Sequence, residues 1–261
     1  MDLSLLSVNT VIAFLLVLFR ISGMLVSAPL FSMRQIPTQI KIGIAVTIAI
    51  IMFPLHSAQL VLPKDLIQFS VMALQETVLG ILLGFVANFV FMALQIAGEL
   101  ISMQMGLSIA SMIDPITQSH SAVVGQFFFY FAAMLFLTLN IHHALIVGID
   151  RSFIALPLGH FMGEGALTGG LMAERMIKLT GDMWIMAAMI GLPIIGILLA
   201  TDIAMSFVAK VMPQMNIFIV GIPLKVAIGL TSMILIMPVL GSQLGDQYAA
   251  LVKVLLGLYK T

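Results

Sequence analysis

Apolar residues run along this chain in long uninterrupted stretches. Residues 42–63, 77–98, 115–149, 183–201 and 226–245 contain no Asp, Glu, Lys or Arg, and 3–33 is interrupted only by Arg20. A helix needs about 20 consecutive, mostly apolar residues to cross a bilayer. The pattern predicts six long apolar helices, near 3–30, 42–62, 70–98, 122–149, 183–209 and 217–240. A membrane β-barrel would instead alternate apolar and polar positions in short strands. Runs such as FFFYFAAMLFL at 127–137 do not alternate. The expected fold is all-α, a polytopic helical membrane protein with its helices arranged as hairpins in one domain over 1–261. The start at Met1-Asp2 lacks a basic n-region, and the first run is too long for a signal h-region, so no cleaved signal is expected.

Proline and glycine punctuate these runs. Pro29 and Pro37 bracket the first connection, and Pro54 and Pro63 the second. The Gly-rich stretch 157–182 reads as a loop with a short amphipathic helix. Pro193, Pro223 and Pro238 fall inside apolar segments, where the missing N–H predicts kinks.

Composition narrows the class. The chain is 61% hydrophobic and 8% charged, against ~25% charged in an average soluble domain. Mean hydropathy is +1.19. So few charges cannot cover a water-soluble globule. The 11 basic and 11 acidic residues cancel, leaving no net field to attract a polyanion. Cysteine is absent, which removes disulfides and thiolate chemistry. The positive-inside rule orients the segments poorly. One side collects Arg34, Lys41 and Lys210; the other collects Lys64, Arg151, Arg175, Lys178, Lys253 and Lys260, mostly in the 150–182 connection and the C-terminal tail.

The third segment carries a polar stripe. With Gly80 at 0° and 100° per residue, Glu76, Gly84, Asn88, Gln95 and Glu99 share an arc of about 140°. Gly80 and Gly84 form a GxxxG pair, which permits close helix approach. The stripe suits either a tight helix interface or the wall of a wet path. In both cases Glu76 and Glu99 should avoid lipid, where a charge costs at least ~2.5 kcal/mol. Arg20 and Asp202 are the other ionisable groups deep in apolar runs, and each needs a partner or water. They could pair with each other, among many other arrangements.

Catalytic and metal chemistry find little support. His142 and His143 point about 100° apart on a helix and have no HExxH context or third ligand at helical spacing. They read as hydrogen-bonded histidines at a helix contact. No metal, cofactor or catalytic residue is expected. An ion-coupled secondary transporter would have more intramembrane ionisable groups near broken helices.

Residues 99–121, ELISMQMGLSIASMIDPITQSHS, are too polar for a span and too apolar for a solvated loop. Asp114-Pro115 should break any helix there. Irregular backbone at membrane depth is tolerated only inside protein or along a cavity, so the segment reads as re-entrant or pore-inserted. Of the 21 methionines, Met103, Met105 and Met112 lie here, where a compliant side chain suits a gasket.

Four stretches together resemble one known family: FRISGMLVSAPLF (19–31), GELISMQMGLSIASMIDP (98–115), NIHHALIVGIDRSFIALPLG (140–159) and NIFIVGIPLK (216–225). The chain is similar over roughly 10–255 to the FliR-type flagellar biosynthetic proteins, the SctT family of type III secretion export gates. Ile141 stands where that family has glycine.

The resemblance implies a subunit of a flagellar export gate, built with FliP-type and FliQ-type subunits in the basal body at the bacterial inner membrane. It implies a FliP-like part over about 1–210 joined to a FliQ-like part over about 211–261, with helices largely raised out of the bilayer plane. It implies an FlhB-type switch protein docked outside, rod proteins built on top, and unfolded flagellar subunits passing through the centre. A pore plug would lie over 106–120; the candidate gate residues are Met105, Gly106, Leu107, Ser108, Ile109, Ala110, Ser111, Met112, Ile113, Asp114 and Pro115. Packing and assembly would involve Glu76, Gly80, Gly84, Asn88, Gln95 and Glu99, with Asn216, Phe218, Gly221 and Pro223 from the last motif. The homologous subunit of a virulence-type secretion system is the related alternative.

Overall fold

The computed structural model describes residues 8–33, 35–56, 63–107, 123–159, 169–214 and 216–257. Among the described residues seven helices follow one another: α1 Val8–Ser27, α2 Thr38–His56, α3 Leu66–Met105, α4 Val123–Thr138, α5 Ile141–Ala155, α6 Gly169–Val211 and α7 Ile217–Gly257. Among the described residues all regular structure is helical. α1, α2, α3, α6 and α7 are long and apolar enough to cross a membrane, and the broken pair α4–α5 adds a sixth span if counted as one. The chain is a polytopic helical membrane protein.

Three helices outrun the expected segments. α3 has 40 residues and continues through 99–105, a stretch expected to belong to the re-entrant segment. α6 has 43 residues and begins at Gly169, inside the stretch expected to be a loop. Residues 171–182 include strong helix formers, with Glu174 four residues before Lys178, so local propensity outweighs the flanking glycines. α7 has 41 residues and runs on to Gly257. Pro54, Pro193, Pro223 and Pro238 all lie within continuous helices. The expected 122–149 segment instead breaks after Thr138, where Asn140 adopts the left-handed conformation (φ 55°) and opens α5.

The helices gather into two compact units. The first comprises 1–89, 136–179 and 248–261. Within it α1 packs on α2 and α2 on α5. Its core includes Leu16, Ile21 and Met24 of α1, Leu79 and Leu83 of α3, and Leu145, Ile149 and Phe153 of α5. Phe136 meets buried Tyr248 edge-on at 6.1 Å. The start of α3 is fixed locally: the Gln68 N–H donates to Asp65 Oδ1, and the Lys64 N–H donates to Gln68 Oε1. That arrangement satisfies donors a helix start leaves open.

The second unit comprises 90–135 and 180–247. Phe91, Leu94, Ala97, Ile101 and Met105 of α3 line its core with Phe128 and Ala132 of α4 and Ile190, Ile194 and Leu198 of α6. α3 and α4 come so close that a side chain on Gly98 would strike the backbone of Gly125. α6 and α7 also carry exposed apolar residues, among them Ile203 at 62% and Ile234 at 73%.

Candidate functional site

Among the described residues each unit holds a polar centre within a largely apolar helix bundle. In the first unit the centre forms where α1 and α3 touch backbone to backbone. A Cβ on Gly23 would strike the Thr77 carbonyl, one on Gly80 the Arg20 carbonyl, and one on Gly84 the Met24 carbonyl and Ser27 Oγ. Ser27 adds a bond across the contact, donating Oγ–H to the Ile81 carbonyl at 2.9 Å. Small residues permit this approach between helices, and it brings two charged side chains together.

Arg20, fully buried, donates Nε–H to Glu76 Oε2 at 2.5 Å. Its Nη1 donates to Ser152 Oγ at 3.2 Å and its Nη2 to the Leu156 carbonyl at 3.0 Å. The guanidinium lies 4.3 Å from the Phe153 ring centroid, a cation–π contact. Glu76 is 1% exposed, and its second oxygen accepts the Gly159 N–H at 3.3 Å. Gly159 has φ 84°, a conformation favourable only to glycine. Phe153 also stacks with His56 at 4.9 Å, and His56 meets Asp150 Oδ1 through Nε2 at 2.8 Å.

Ionisable groups inside an apolar bundle persist when paired and fully hydrogen-bonded. Each guanidinium nitrogen of Arg20 and each carboxylate oxygen of Glu76 has a partner, and their bonds join α1, α3 and the 149–159 stretch.

The second centre gathers at the C-terminal end of α3. Asp202 of α6 takes Lys225 Nζ of α7 on Oδ1 at 2.6 Å and Gln104 Nε2 on Oδ2 at 2.8 Å. The next residue, Met105, is fully buried over Gly229; a Cβ there would stand 2.7 Å from the methionine Cε. α3 then ends in a Schellman motif. The Leu107 N–H donates to the Ser102 carbonyl and the Gly106 N–H to the Met103 carbonyl, both at 3.1 Å, with Gly106 at φ 81°.

Residues 11–251, which contain both centres, match the family described as bacterial export proteins, family 1. The chain belongs to that family. It is 37% identical to the flagellar biosynthetic protein FliR of Bacillus subtilis over 87% of each chain. It is 33% identical to the protein of that name in Escherichia coli, over 85% of this chain and 83% of that one. A third relative of that name, from Aquifex aeolicus, is 30% identical over 93% and 92%.

In this export protein the sequence-expected residues divide between the centres. Glu76, Gly80 and Gly84 are buried in the first unit, where the expected close approach is filled by α1 of the same chain. Asn88 is half-buried. Gln95 and Glu99 are exposed and bond each other at 3.3 Å. Gly221 is buried and Pro223 exposed, and the Asn216 carbonyl accepts the Ile219 N–H at the start of α7. Phe218 lies in α7, its side chain outside the described residues. Of the gate candidates, Met105, Gly106 and Leu107 are placed, while Ser108 to Pro115 lie outside the described residues. Arg20 and Asp202 do not pair: Arg20 takes Glu76 and Asp202 takes Lys225. His142 and His143 lie ring to ring at 4.4 Å, and His142 Nδ1 is buried without a hydrogen-bond partner. The expectation of a hydrogen-bonded His142 therefore fails at that atom. Among the described residues no group of three or more His, Asp or Glu could hold a metal.

Sequence reasoning missed Arg20–Glu76, Gln104, Lys225 and His56–Asp150. A signal for the first existed. Arg20, Gly23 and Ser27 recur at helical spacing on α1, the face a GxxxG helix with an acidic residue one turn earlier would need.

Proposed function

We propose that this export protein is a subunit of the gate of the flagellar type III protein export apparatus at the bacterial inner membrane, one that forms part of a gated, protein-conducting channel and performs no catalysis. The observation that carries this reading is the match to three FliR chains, each over more than four-fifths of its length. The geometry adds that α3, the most buried long helix, ends in a fixed cap beside a polar centre, immediately before the expected plug. Its gate partners would be FliP-type and FliQ-type subunits, covering apolar faces such as Ile203 and Ile234. An FlhB-type switch protein and rod proteins would bind the finished gate, and unfolded flagellar proteins would pass through it. The FliP-like part would end near 210 and the FliQ-like part begin near 211, at the turn between α6 and α7.

In the closed state, apolar side chains from 105–115 would exclude water, and a passing chain would displace them. Compliant, non-specific contacts let many sequences through. The test is copurification with FliP- and FliQ-type subunits and a motility assay of the deletion strain. The expected result is a stable complex and loss of motility, restored by the intact gene. Removing Leu107 to Met112 should raise ion leakage through the assembled gate; unchanged conductance would sink the plug reading. A transporter acting alone would give solute uptake in liposomes holding only this chain, and none is expected.

A further inference from the structure

Two neighbouring residues at the end of α3 are gripped by different chemistry. Gln104 donates to one oxygen of Asp202 while the other oxygen receives Lys225 Nζ. Met105 seats on Gly229, one helical turn after Lys225 on the same face of α7. The Schellman cap closes α3 within the next two residues. The Asp202 carboxylate thus links α3, α6 and α7 through its two oxygens, and Met105 on Gly229 sets the depth of α3 against α7.

Stability alone gives little reason for these groups. The side chain of Asp202 is 41% exposed and that of Lys225 19%, and pairs so placed contribute little on their own. Apolar residues of similar volume commonly hold helices as well or better. A carboxylate with each oxygen assigned to a different helix supplies register, which apolar contacts do not.

We propose that Gln104, Asp202 and Lys225 are positioning residues. They form a clasp, completed by Met105 on Gly229, that sets the direction in which the chain leaves α3 at Leu107. The leakage part of the test below rests on the plug reading; the labelling part does not.

The native chain has no cysteine, so Leu107→Cys gives this chain a single reporter thiol, whose labelling in the assembled complex is read on this chain alone after the subunits are separated. Its maleimide labelling rate is compared in three backgrounds: otherwise unchanged, Gln104→Met, and Asp202→Leu with Lys225→Met. Neither altered background leaves a lone charge, so desolvation of a stranded ion cannot cause a difference. Both should copurify with the partner subunits at the parent level, with labelling several-fold faster and ion leakage increased. Equal labelling rates in the three backgrounds overturn the clasp. So does failure of both variants to assemble, which would make the cluster a support of the fold. Leakage is judged against the Leu107 to Met112 deletion. If that deletion does not leak, the plug reading falls, and the labelling rates still decide the clasp.

Discussion

The two polar centres solve the same problem in opposite ways. Around Arg20 and Glu76 both charges are out of reach of solvent, and hydrogen bonds from three parts of the chain converge on them. Around Asp202 and Lys225 the carboxylate is two-fifths exposed and the number of partners is small. Removing one member of a buried pair strands the other in a low-dielectric interior, so the first centre holds its helices together whether or not the pair is optimal for stability. A half-exposed pair can be rearranged at small cost, which would suit a region next to the proposed plug.

This contrast can be broken experimentally, most severely at Arg20. Arg20→Leu leaves Glu76 buried and unpaired and is expected to destabilise the first unit by about 3–5 kcal/mol, read as loss of the protein from membranes. Normal membrane levels would remove the distinction between the centres. Gly84→Ala drives a methyl into the Met24 carbonyl and Ser27 Oγ; a cost of about 1–3 kcal/mol is expected, seen as a lower thermal aggregation midpoint in detergent. Lys225→Met should lower that midpoint far less than Arg20→Leu, because Asp202 keeps Gln104 and access to water. The smallest effect is expected in open space. Nothing lies near the position a Cβ would take on Gly181, so Gly181→Ala should stabilise α6 by about 0.5–1 kcal/mol, a slight rise in the same midpoint.

Much of the fold was legible because each apolar run is long enough to announce a helix. The boundaries were less legible where local propensity, as at 171–182, carried a helix beyond its apolar core. The break at Asn140 was hidden because a left-handed residue leaves no hydropathy signal. At the sites, helical spacing put Glu76, Gly80 and Gly84 on one face. It could not say which helix would fill that face, since pairing is decided by matching small residues far apart in sequence. Gln104 escaped notice because its role depends on Asp202, 98 residues away.

The length of α3 carries a consequence for its surroundings. Forty residues without an internal proline make a rod of about 60 Å at 1.5 Å per residue. The hydrocarbon layer of a bilayer is about 30 Å thick. Confining the whole rod to that layer would require a tilt of about 60°, well outside the range of roughly 0–40° that membrane helices adopt. Lipid can therefore solvate only part of α3. With Glu76 and Glu99 as the only charges along its whole length, the remainder is too apolar for water and requires other protein as its solvent.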